Sequence, residues 1–346
     1  MKGNMAKILT AAFLASALVG CGSGTAASAS PAASAAGAAS SAAAVSGKPK
    51  IGVIQLMEHT SLNQIYDAFS AQLKTLGYED GVNCQIDFSN AQGDTNNLTT
   101  IVQTMAGNKE DVVVAITTPA AEAAMALTKE TPVVFSAVTD PVAAGLVKDL
   151  NDTSGNMTGT SDAVNVDQIM DLAMEITPDA KTVGYIYNPG EDNSVSNLDK
   201  LKAYCDSKGL TVETAGISTS ADLQSAADSL CKKVDMIFVG NDNTVAEAMP
   251  VLAKTAIANK IPVYTGADSM VKDGGFATKG IDYTDLGKET ANMVDQILKG
   301  TSVSDIPVKV FDSDLYIYVN KATADALGIT LPDSITSNAK YVEIGD

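Results

Sequence analysis

The sequence predicts an α/β protein of two doubly wound, Rossmann-like lobes with a ligand cleft between them. Short apolar runs rich in β-branched residues recur along the chain, and longer segments with helical spacing separate them. This alternation is typical of parallel sheets that helices cover on both faces. The pattern occurs twice, on either side of a polar, glycine-containing break at 151–161. Two lobes are the simplest account, and ligands of such sheets bind beyond the carboxyl ends of the strands.

The elements follow in order from these patterns. The runs predicted as strands are 51–56, 84–88, 112–116, 132–138, 182–187, 210–217, 236–240, 262–265 and 276–282. In the segments between them, apolar residues recur every three or four positions, as on one face of a helix. The segments predicted as helices are 62–76, 98–105, 120–129, 166–176, 195–207, 223–232, 244–259 and 286–298.

The first 47 residues are predicted to be a targeting signal and a flexible tether rather than part of the fold. Lys2 and Lys7 precede an apolar run at 8–20, which is shorter than the ~20 residues that span a bilayer and suits a signal peptide over 1–20. The run ends in Leu-Val-Gly-Cys, which resembles a bacterial lipobox with Cys21 as the lipidated residue. Residues 21–47 are mainly Ala, Ser and Gly, as in a flexible linker. We therefore expect an extracytoplasmic lipoprotein held to the cell membrane by the lipid on Cys21.

The composition excludes several classes of protein. The chain has 346 residues, 41 acidic and 23 basic, and its net charge of −18 disfavours nucleic acid as a partner. The basic residues are all Lys, so a carboxylate cannot be held by a bidentate Arg. A single His excludes ligand sets with two histidines, and we predict neither a metal nor a cofactor because GxGxxG and Walker A motifs are absent. Cys84, Cys205 and Cys231 are expected to be buried free thiols, with a Cys205–Cys231 disulfide as the alternative.

Polar residues follow the predicted strands of the first half. Pro119 suits the first turn of a helix, so Thr118 is the predicted N-cap and the N–H groups of Ala120 and Ala121 are predicted to be free to bind a carboxylate. The fourth strand is followed by a similar polar turn. The candidate ligand-binding residues of this half are Gln55, Glu58, Thr118, Pro119, Ala120, Ala121, Ser136, Thr139 and Asp140.

The second half places carboxylates at its strand ends. Asp268, helped by Asp242, is predicted to pair with an ammonium group, and Gln55 and Asn188 to hydrogen-bond across the cleft. The candidates of this half are Tyr187, Asn188, Asn193, Asp242, Asn243 and Asp268. Phe135, Tyr187 and Tyr283 are the aromatic residues nearest the strand ends, although such side chains more often pack in a core. An anion receptor facing carboxylates predicts a zwitterionic ligand such as an α-amino acid.

Each of these assignments has a structural alternative. The Thr, Asn and Asp residues could simply cap helices. His59, beside Glu58 and near Ser61, could be drawn as a hydrolase, but no nucleophile elbow accompanies it. We therefore expect binding rather than catalysis, with Glu58 and His59 at the ligand or the rim of the cleft.

These strand-end sequences resemble the bacterial solute-binding lipoproteins associated with tryptophan and tyrosine ABC transporters. The matching stretches run from 48 to about 328 and include Ile51–Gly52–Val53–Ile54–Gln55, Thr117–Thr118–Pro119–Ala120–Ala121, Val138–Thr139–Asp140–Pro141, Tyr187–Asn188–Pro189–Gly190–Glu191 and Asp242–Asn243–Thr244. The resemblance implies the type I periplasmic-binding-protein fold, with three crossover strands between the lobes. It also implies an aromatic L-amino acid (Trp, Tyr or Phe) as ligand, and delivery to a permease powered by an ATPase.

By that resemblance the first lobe comprises 48–160 and 284–307, and the second 161–283 and 308–330. No pattern is readable in the tail at 331–346. The alternatives keep the fold but change the role: another amino acid or small solute, or a surface receptor or adhesin. Sugars are mildly disfavoured because the chain lacks Trp for ring stacking.

Overall fold

The structure is a computed structural model that describes residues 47–345, all within one compact unit. The predicted signal peptide, the lipidation site Cys21 and all but the last residue of the predicted tether lie outside the described residues. Within the described part, every helix is too short or too polar to cross a membrane.

Strands and helices alternate along most of the chain. The strands are β1 (Lys50–Gln55), β2 (Gln85–Asn90), β3 (Val112–Ile116), β4 (Val133–Ser136), β5 (Met157–Ser161), β6 (Thr182–Tyr187), β7 (Thr211–Gly216), β8 (Met236–Val239), β9 (Val263–Thr265), β10 (Ala277–Gly280), β11 (Lys309–Val310), β12 (Tyr316–Asn320) and β13 (Tyr341–Ile344). The helices are α1 (Thr60–Thr75), α2 (Thr95–Asn108), α3 (Thr118–Ala124), α4 (Val166–Ile176), α5 (Asp192–Lys208), α6 (Leu223–Leu230), α7 (Asn243–Glu247), α8 (Met249–Ala258), α9 (Asp268–Lys272), α10 (Tyr283–Leu298), α11 (Lys321–Leu327) and α12 (Asp333–Thr336).

Two separate sheets define two lobes, as the alternation predicts. The first has the strand order β11-β5-β4-β3-β1-β2 and is parallel throughout. The second has the order β13-β12-β10-β9-β8-β6-β7, in which β10 and β12 pair antiparallel. The chain crosses between the sheets after β5, after β10 and after β11. Because α10 packs on α1, the second crossing returns the chain to the first lobe.

Strand β5 was not predicted. Its sequence, Met-Thr-Gly-Thr-Ser, resembles a polar linker, and the sequence pattern predicts the break between the lobes in this region. The strand is nevertheless buried along its whole length because its hydroxyls find partners. Thr158 donates to the carbonyl of Ile306 at 2.7 Å, which removes the cost of burying that hydroxyl.

The lobe boundaries differ from expectation at the C-terminal end. Residues 309–310 form β11 and pair with β5 in the first sheet, whereas the resemblance implies that 308–330 belong to the second lobe. The tail at 331–346 had no predicted structure. It contains α12 and β13, and β13 pairs with β12 at the edge of the second sheet. The tail therefore belongs to the second lobe.

The helix predicted at 244–259 is divided into α7 and α8. Pro250 lies in the first turn of α8, where it can donate no backbone hydrogen bond to the preceding turn. The junction residue Ala248 leaves helical geometry, with φ of −117°. The short helix α7 thus points its first turn toward the carboxyl edge of the second sheet.

The core consists of the apolar strands and the helix faces that cover them. Ile51, Val53 and Ile54 of β1 are completely buried, and each such side chain contributes about 1.5–3 kcal/mol of hydrophobic stabilisation. Cys84, Cys205 and Cys231 are buried and unbridged, so the alternative disulfide does not form. Burial raises the pKa of the Cys205 thiol to about 11 and keeps it protonated at neutral pH.

Candidate functional site

A cavity lies where the carboxyl ends of the two sheets face each other. Its lining comes from the loops and helix starts that follow β1, β3 and β4 in the first lobe and β6, β8 and β9 in the second, together with two crossing segments. The first lobe contributes His59, Ser61, Leu62, Thr117, Thr118, Ala137 and Thr139. The second lobe contributes Asn193, Asn241, Asn243, Ala246, Ala267 and Met270, and the crossings contribute Asp162 and Tyr283.

Hydrogen bonds join the lobes across this cavity. The Asn241 amide donates to the Thr139 hydroxyl at 2.6 Å, and His59 Nε2 lies 3.2 Å from Asn243 Oδ1. The cavity has about 330 Å³ of space between atoms, part of it open to solvent, and the centre of a water molecule can reach only about 20 Å³ of it. That is room for about one water molecule. The lobes are therefore closed, and an organic ligand requires them to move apart.

Asp162 occupies the first crossing and contacts both lobes. Its carboxylate accepts hydrogen bonds from Thr139 Oγ1 at 3.1 Å, from Asn241 Nδ2 at 2.6 Å and from the Tyr283 hydroxyl at 2.7 Å. Burial raises the pKa of Asp162, and these hydrogen bonds oppose the rise. Among residues 47–345, it is the one acidic side chain that lines the cavity. A buried carboxylate in this position favours a cationic group nearby.

A second buried carboxylate, Glu191, holds the polar loop of the second lobe. It accepts hydrogen bonds from the backbone N–H groups of Asn243 and Thr244, each at 3.0 Å, and from both of their side chains, at 2.6 and 2.8 Å. These bonds fix the start of α7 and orient the Asn243 amide toward the cavity. Glu191 is thus a structural support one layer behind the lining residues.

His59 is neutral in this setting. Burial lowers the pKa of its imidazole to about 4, although the hydrogen bond to Asn243 opposes that change. The ring therefore carries no charge at neutral pH, and it lines the cavity as a polar but uncharged group.

Two cavity residues have backbone conformations that side chains other than glycine rarely adopt. Thr117 has φ of 98° and Ala137 has φ of 55°, directly after β3 and β4. Such strain costs about 1–3 kcal/mol and is concentrated at functional sites. The strained turns allow the chain to reverse sharply at the strand ends, which places Thr118 and Thr139 at the cavity.

The geometry agrees with the comparison to known proteins. Residues 50–343 match the model of the ABC transporter substrate binding protein family. The chain belongs to this family. A "Tyrosine-binding protein" of Clostridioides difficile is 40% identical to it over 293 residues, which cover 85% of this chain and 84% of the relative.

Two solved structures, one with ligand and one open, allow the conformation of this substrate-binding protein to be compared with known states. An ABC domain from Streptococcus pneumonia in complex with L-Trp is 40% identical, with a TM-score of 0.82, and the match covers 86% of this chain and 100% of that one. A ligand-free, open substrate-binding protein with adhesive properties from Clostridium difficile is 42% identical, with a TM-score of 0.65 and coverage of 86% and 99%. Because identity and coverage are similar, the higher score to the liganded structure agrees with closed lobes here. A myo-inositol-bound protein from Bacillus halodurans, 14% identical with a TM-score of 0.59, shares the fold.

Four of the predicted ligand-binding residues of this substrate-binding protein line the cavity: Thr118, Thr139, Asn193 and Asn243. Thr118 Oγ1 and Asn193 Oδ1 are buried there without a hydrogen-bond partner among the described residues. The other predicted residues lie behind the lining, on the surface or in the core.

The predicted carboxylate receptor at α3 is wrong in its details. Thr117, not Thr118, is the N-cap, and its hydroxyl accepts from the N–H of Ala120 at 3.4 Å. The N–H of Ala121 donates to the Thr117 carbonyl at 3.0 Å, so neither amide is free. Pro119 lies in the first turn of α3, as expected, but outside the cavity lining.

Three other predicted contacts of the first lobe are structural. Gln55 is buried and donates to the Met57 carbonyl at 2.7 Å, which supports the loop after β1 instead of crossing the cleft. Ser136 accepts from the Thr290 hydroxyl at 2.8 Å, inside the first lobe. Asp140 accepts from the N–H of Ala143 at 3.0 Å and lines a neighbouring surface pocket. Glu58 is exposed and does not line the cavity.

In the second lobe, Asp242 and Asn188 support each other. Asp242 accepts from the Asn188 N–H at 2.6 Å, from Ser194 Oγ at 2.7 Å and from the Val245 N–H at 2.8 Å, which satisfies its carboxylate. Burial, with the nearby charge of Glu191, raises the pKa of Asp242. The Asn188 amide donates to Thr244 at 2.9 Å. Both residues hold the loop and do not line the cavity.

The remaining candidates lie beside the cavity or in the core. Asp268 is buried and its Oδ2 lies 2.6 Å from Lys272 Nζ, while its neighbours Ala267 and Met270 line the cavity. Tyr187 packs on Tyr185 with ring centroids 5.3 Å apart, and Phe135 is fully buried in the first lobe. Of the three aromatic candidates, Tyr283 alone lines the cavity.

Sequence reasoning missed Asp162 and Asn241. Asp162 follows β5, so recognition of that strand would have placed it at a carboxyl end. Asn241 follows β8, but the neighbouring Asp242 was preferred because of its charge.

Proposed function

We propose that this substrate-binding protein captures an aromatic L-amino acid between its lobes and delivers it to the permease and ATPase of an ABC importer. The observation that carries this proposal is the buried Asp162 carboxylate in a cavity whose other described lining residues are uncharged. An ammonium group would neutralise it at close range, where the low local dielectric makes the attraction strong. The two relatives described above, one named as tyrosine-binding and one holding L-Trp, support the aromatic class.

The rest of the lining suits the other parts of such a ligand. Leu62, Ala246 and Met270 present apolar surface, and the small alanines leave space for a large side chain once the lobes separate. The Thr118 hydroxyl is buried without a partner within residues 47–345 and can donate to the ligand carboxylate. With no Arg in the chain, this hydroxyl replaces the usual guanidinium clamp.

We also propose that the mature protein is anchored outside the membrane by a lipid on Cys21. The membership in a family of extracytoplasmic binding proteins and the lipobox-like sequence support this placement. Labelling with radioactive palmitate tests it: Cys21→Ala should release the protein from the membrane fraction and abolish labelling.

Calorimetric titration with L-Tyr, L-Trp and L-Phe, after refolding to remove any co-purified ligand, tests the ligand class. Asp162→Asn should weaken binding at least tenfold, which corresponds to a loss of about 1.4 kcal/mol of binding free energy. Asp268→Asn is the matched control, since Lys272 already neutralises that carboxylate; its effect should stay within about threefold. A stronger effect at Asp268 would transfer the ammonium site to that residue. Binding of none of the amino acids would refute the proposal.

A role in adhesion is a second candidate, because a 42% identical relative has adhesive properties. Deletion of the gene, with attachment to host cells and amino-acid uptake measured in parallel, separates the two roles. Loss of attachment with normal uptake would favour adhesion.

A further inference from the structure

The orientation of the Asn243 amide is fixed by Glu191. Asn243 Nδ2 donates to Glu191 Oε2 at 2.6 Å, and that carboxylate also accepts from two backbone N–H groups. A carboxylate surrounded by donors can only accept, so the NH₂ group of Asn243 must face it. The Asn243 Oδ1 atom is therefore the one that faces His59.

This orientation in turn fixes the tautomer of His59. Because Asn243 Oδ1 is an acceptor, the hydrogen of the neutral imidazole must reside on Nε2, 3.2 Å away. His59 Nδ1 then carries a lone pair and can only accept. It is buried and has no hydrogen-bond partner among the described residues.

Apart from the Thr118 hydroxyl, assigned above to the ligand carboxylate, two acceptors of the cavity are buried without a partner among the described residues. Asn193 Oδ1 is one, and the Asn193 amide donates to the carbonyl of Asn241, whose side chain contacts Asp162. It therefore belongs with the proposed ammonium site. His59 Nδ1 is the other, and the residues that follow His59 and Asn243 in their first helical turns are the apolar Leu62 and Ala246.

An apolar wall with one buried acceptor suits a side chain that is mostly apolar but carries one donor. A phenol O–H or an indole N–H satisfies this requirement, whereas a phenyl ring leaves the acceptor unpaired. Sites built around a buried hydrogen bond reject the analogue that lacks it far more strongly than apolar pockets reject an isostere.

We propose that His59 Nδ1 accepts a hydrogen bond from the side chain of the ligand and selects tyrosine or tryptophan over phenylalanine. This inference rests on the proposed binding of aromatic amino acids and adds the rule by which the site discriminates among them. The neutral state of the buried imidazole supports it, since an imidazolium could not accept.

The affinities of L-Tyr, L-Trp and L-Phe for the refolded protein provide the test. At neutral pH the better of L-Tyr and L-Trp should bind at least about tenfold more tightly than L-Phe. In His59→Gln the amide can reach the position of Nε2 and keep the bond to Asn243, but it offers nothing at the position of Nδ1. This variant should reduce the preference to within about threefold. His59→Asn, whose oxygen can replace Nδ1, should retain more of the preference.

Each outcome decides the question. Equal affinity of the wild-type protein for all three amino acids would overturn the selection rule and leave the proposed function standing. An equal loss for all three ligands in His59→Gln would make His59 a structural residue only. Failure of every aromatic amino acid to bind would overturn both proposals.

Discussion

The hydroxyl of Tyr283 donates a 2.7 Å hydrogen bond to Asp162, and this bond joins two of the three segments that cross between the lobes. Asp162 directly follows β5, where the chain first crosses to the second lobe. Tyr283 is the first residue of α10, the helix that returns the chain to the first lobe. The same carboxylate also accepts from Thr139 and Asn241, one in each lobe. The proposed ligand site and the hinge therefore share one buried acid.

Removal of the Tyr283 hydroxyl should destabilise the protein. In Tyr283→Phe the buried Asp162 loses a donor, and we expect the free energy of unfolding to fall by about 1–3 kcal/mol, as for hydrogen bonds to charged groups. Urea denaturation measures this change. Tyr264→Phe is the matched control, because that buried hydroxyl lies 3.2 Å from the neutral Thr177. A loss at Tyr264 as large as that at Tyr283 would argue against a special role for the bond to Asp162.

Asn241→Ala should open the cleft. The variant removes the 2.6 Å bond to Thr139 and one donor to Asp162, so closure without ligand loses two of its polar contacts. Small-angle scattering should show a larger radius of gyration than in the wild type, and saturating ligand should reduce it. Asn188→Ala, whose contacts lie within the second lobe, should leave the radius unchanged. Equal radii for Asn241→Ala and the wild type would show that other contacts maintain closure.

The stability of the protein should depend on pH through His59. Its pKa is about 4 in the folded state and 6.5 in the unfolded chain, so the unfolded state binds more protons between these values. The contribution of the neutral imidazole to the free energy of unfolding is complete above pH 6.5. It is lost as the pH falls toward 4, by up to about 3 kcal/mol. The difference in unfolding free energy between the wild type and His59→Gln, measured from pH 7.5 to 4.5, isolates this term. Parallel stability curves would contradict it.

Glu110 should have the opposite pH dependence. It is 4% exposed, neither of its carboxyl oxygens has a hydrogen-bond partner among the described residues, and burial raises its pKa to about 7. Its folded pKa exceeds that of the unfolded chain, so stability is complete below pH 4.5 and declines as the pH rises toward 7. Glu110→Gln should therefore be more stable than the wild type at pH 8, by about 1–2 kcal/mol after allowance for screening. A less stable variant at pH 8 would contradict the raised pKa of Glu110.

The packing of α10 on α1 should tolerate no side chain at position 287. A Cβ atom on Gly287 would clash with the carbonyl oxygen of Ile65 and lie 2.9 Å from Ala68 Cβ. Gly287→Ala should therefore cost about 1–3 kcal/mol, because the two helices must separate. Gly107, in the exposed part of α2, has no other described residue within 4 Å of its Cβ position. The control Gly107→Ala should stabilise the protein by about 1 kcal/mol, the difference in helix propensity.

The two-lobed fold could be predicted because hydrophobic burial determines the alternation of strands and helices. Strand β5 could not, because its burial depends on hydroxyl partners such as the Ile306 carbonyl, which is distant in sequence. The C-terminal β13 was missed for a related reason. Its residues are only partly buried, and the edge of the second sheet, not an apolar pattern of its own, determines its conformation.

The site was predicted at the level of strand ends but not of individual side chains. Asn241 and Asp242 are adjacent, yet one lines the cavity and the other caps α7. Sequence patterns favour the charged Asp242 as a ligand contact. As the N-cap of α7, however, its carboxylate binds the helix start instead of lining the cavity. The direction of such a side chain depends on local backbone angles, as at Thr117, which a pattern of residue types does not contain.

The position of Asp162 on a crossing segment has a consequence for transport. A solute can fill the cavity without offering a donor to this carboxylate, and it would then add nothing to the hydrogen bonds that Asp162 already accepts from Thr139, Asn241 and Tyr283. Such a compound would occupy the protein but present the permease with a less firmly closed complex. It would act as a competitive inhibitor of uptake rather than as cargo, so the selectivity of import would exceed the selectivity of binding.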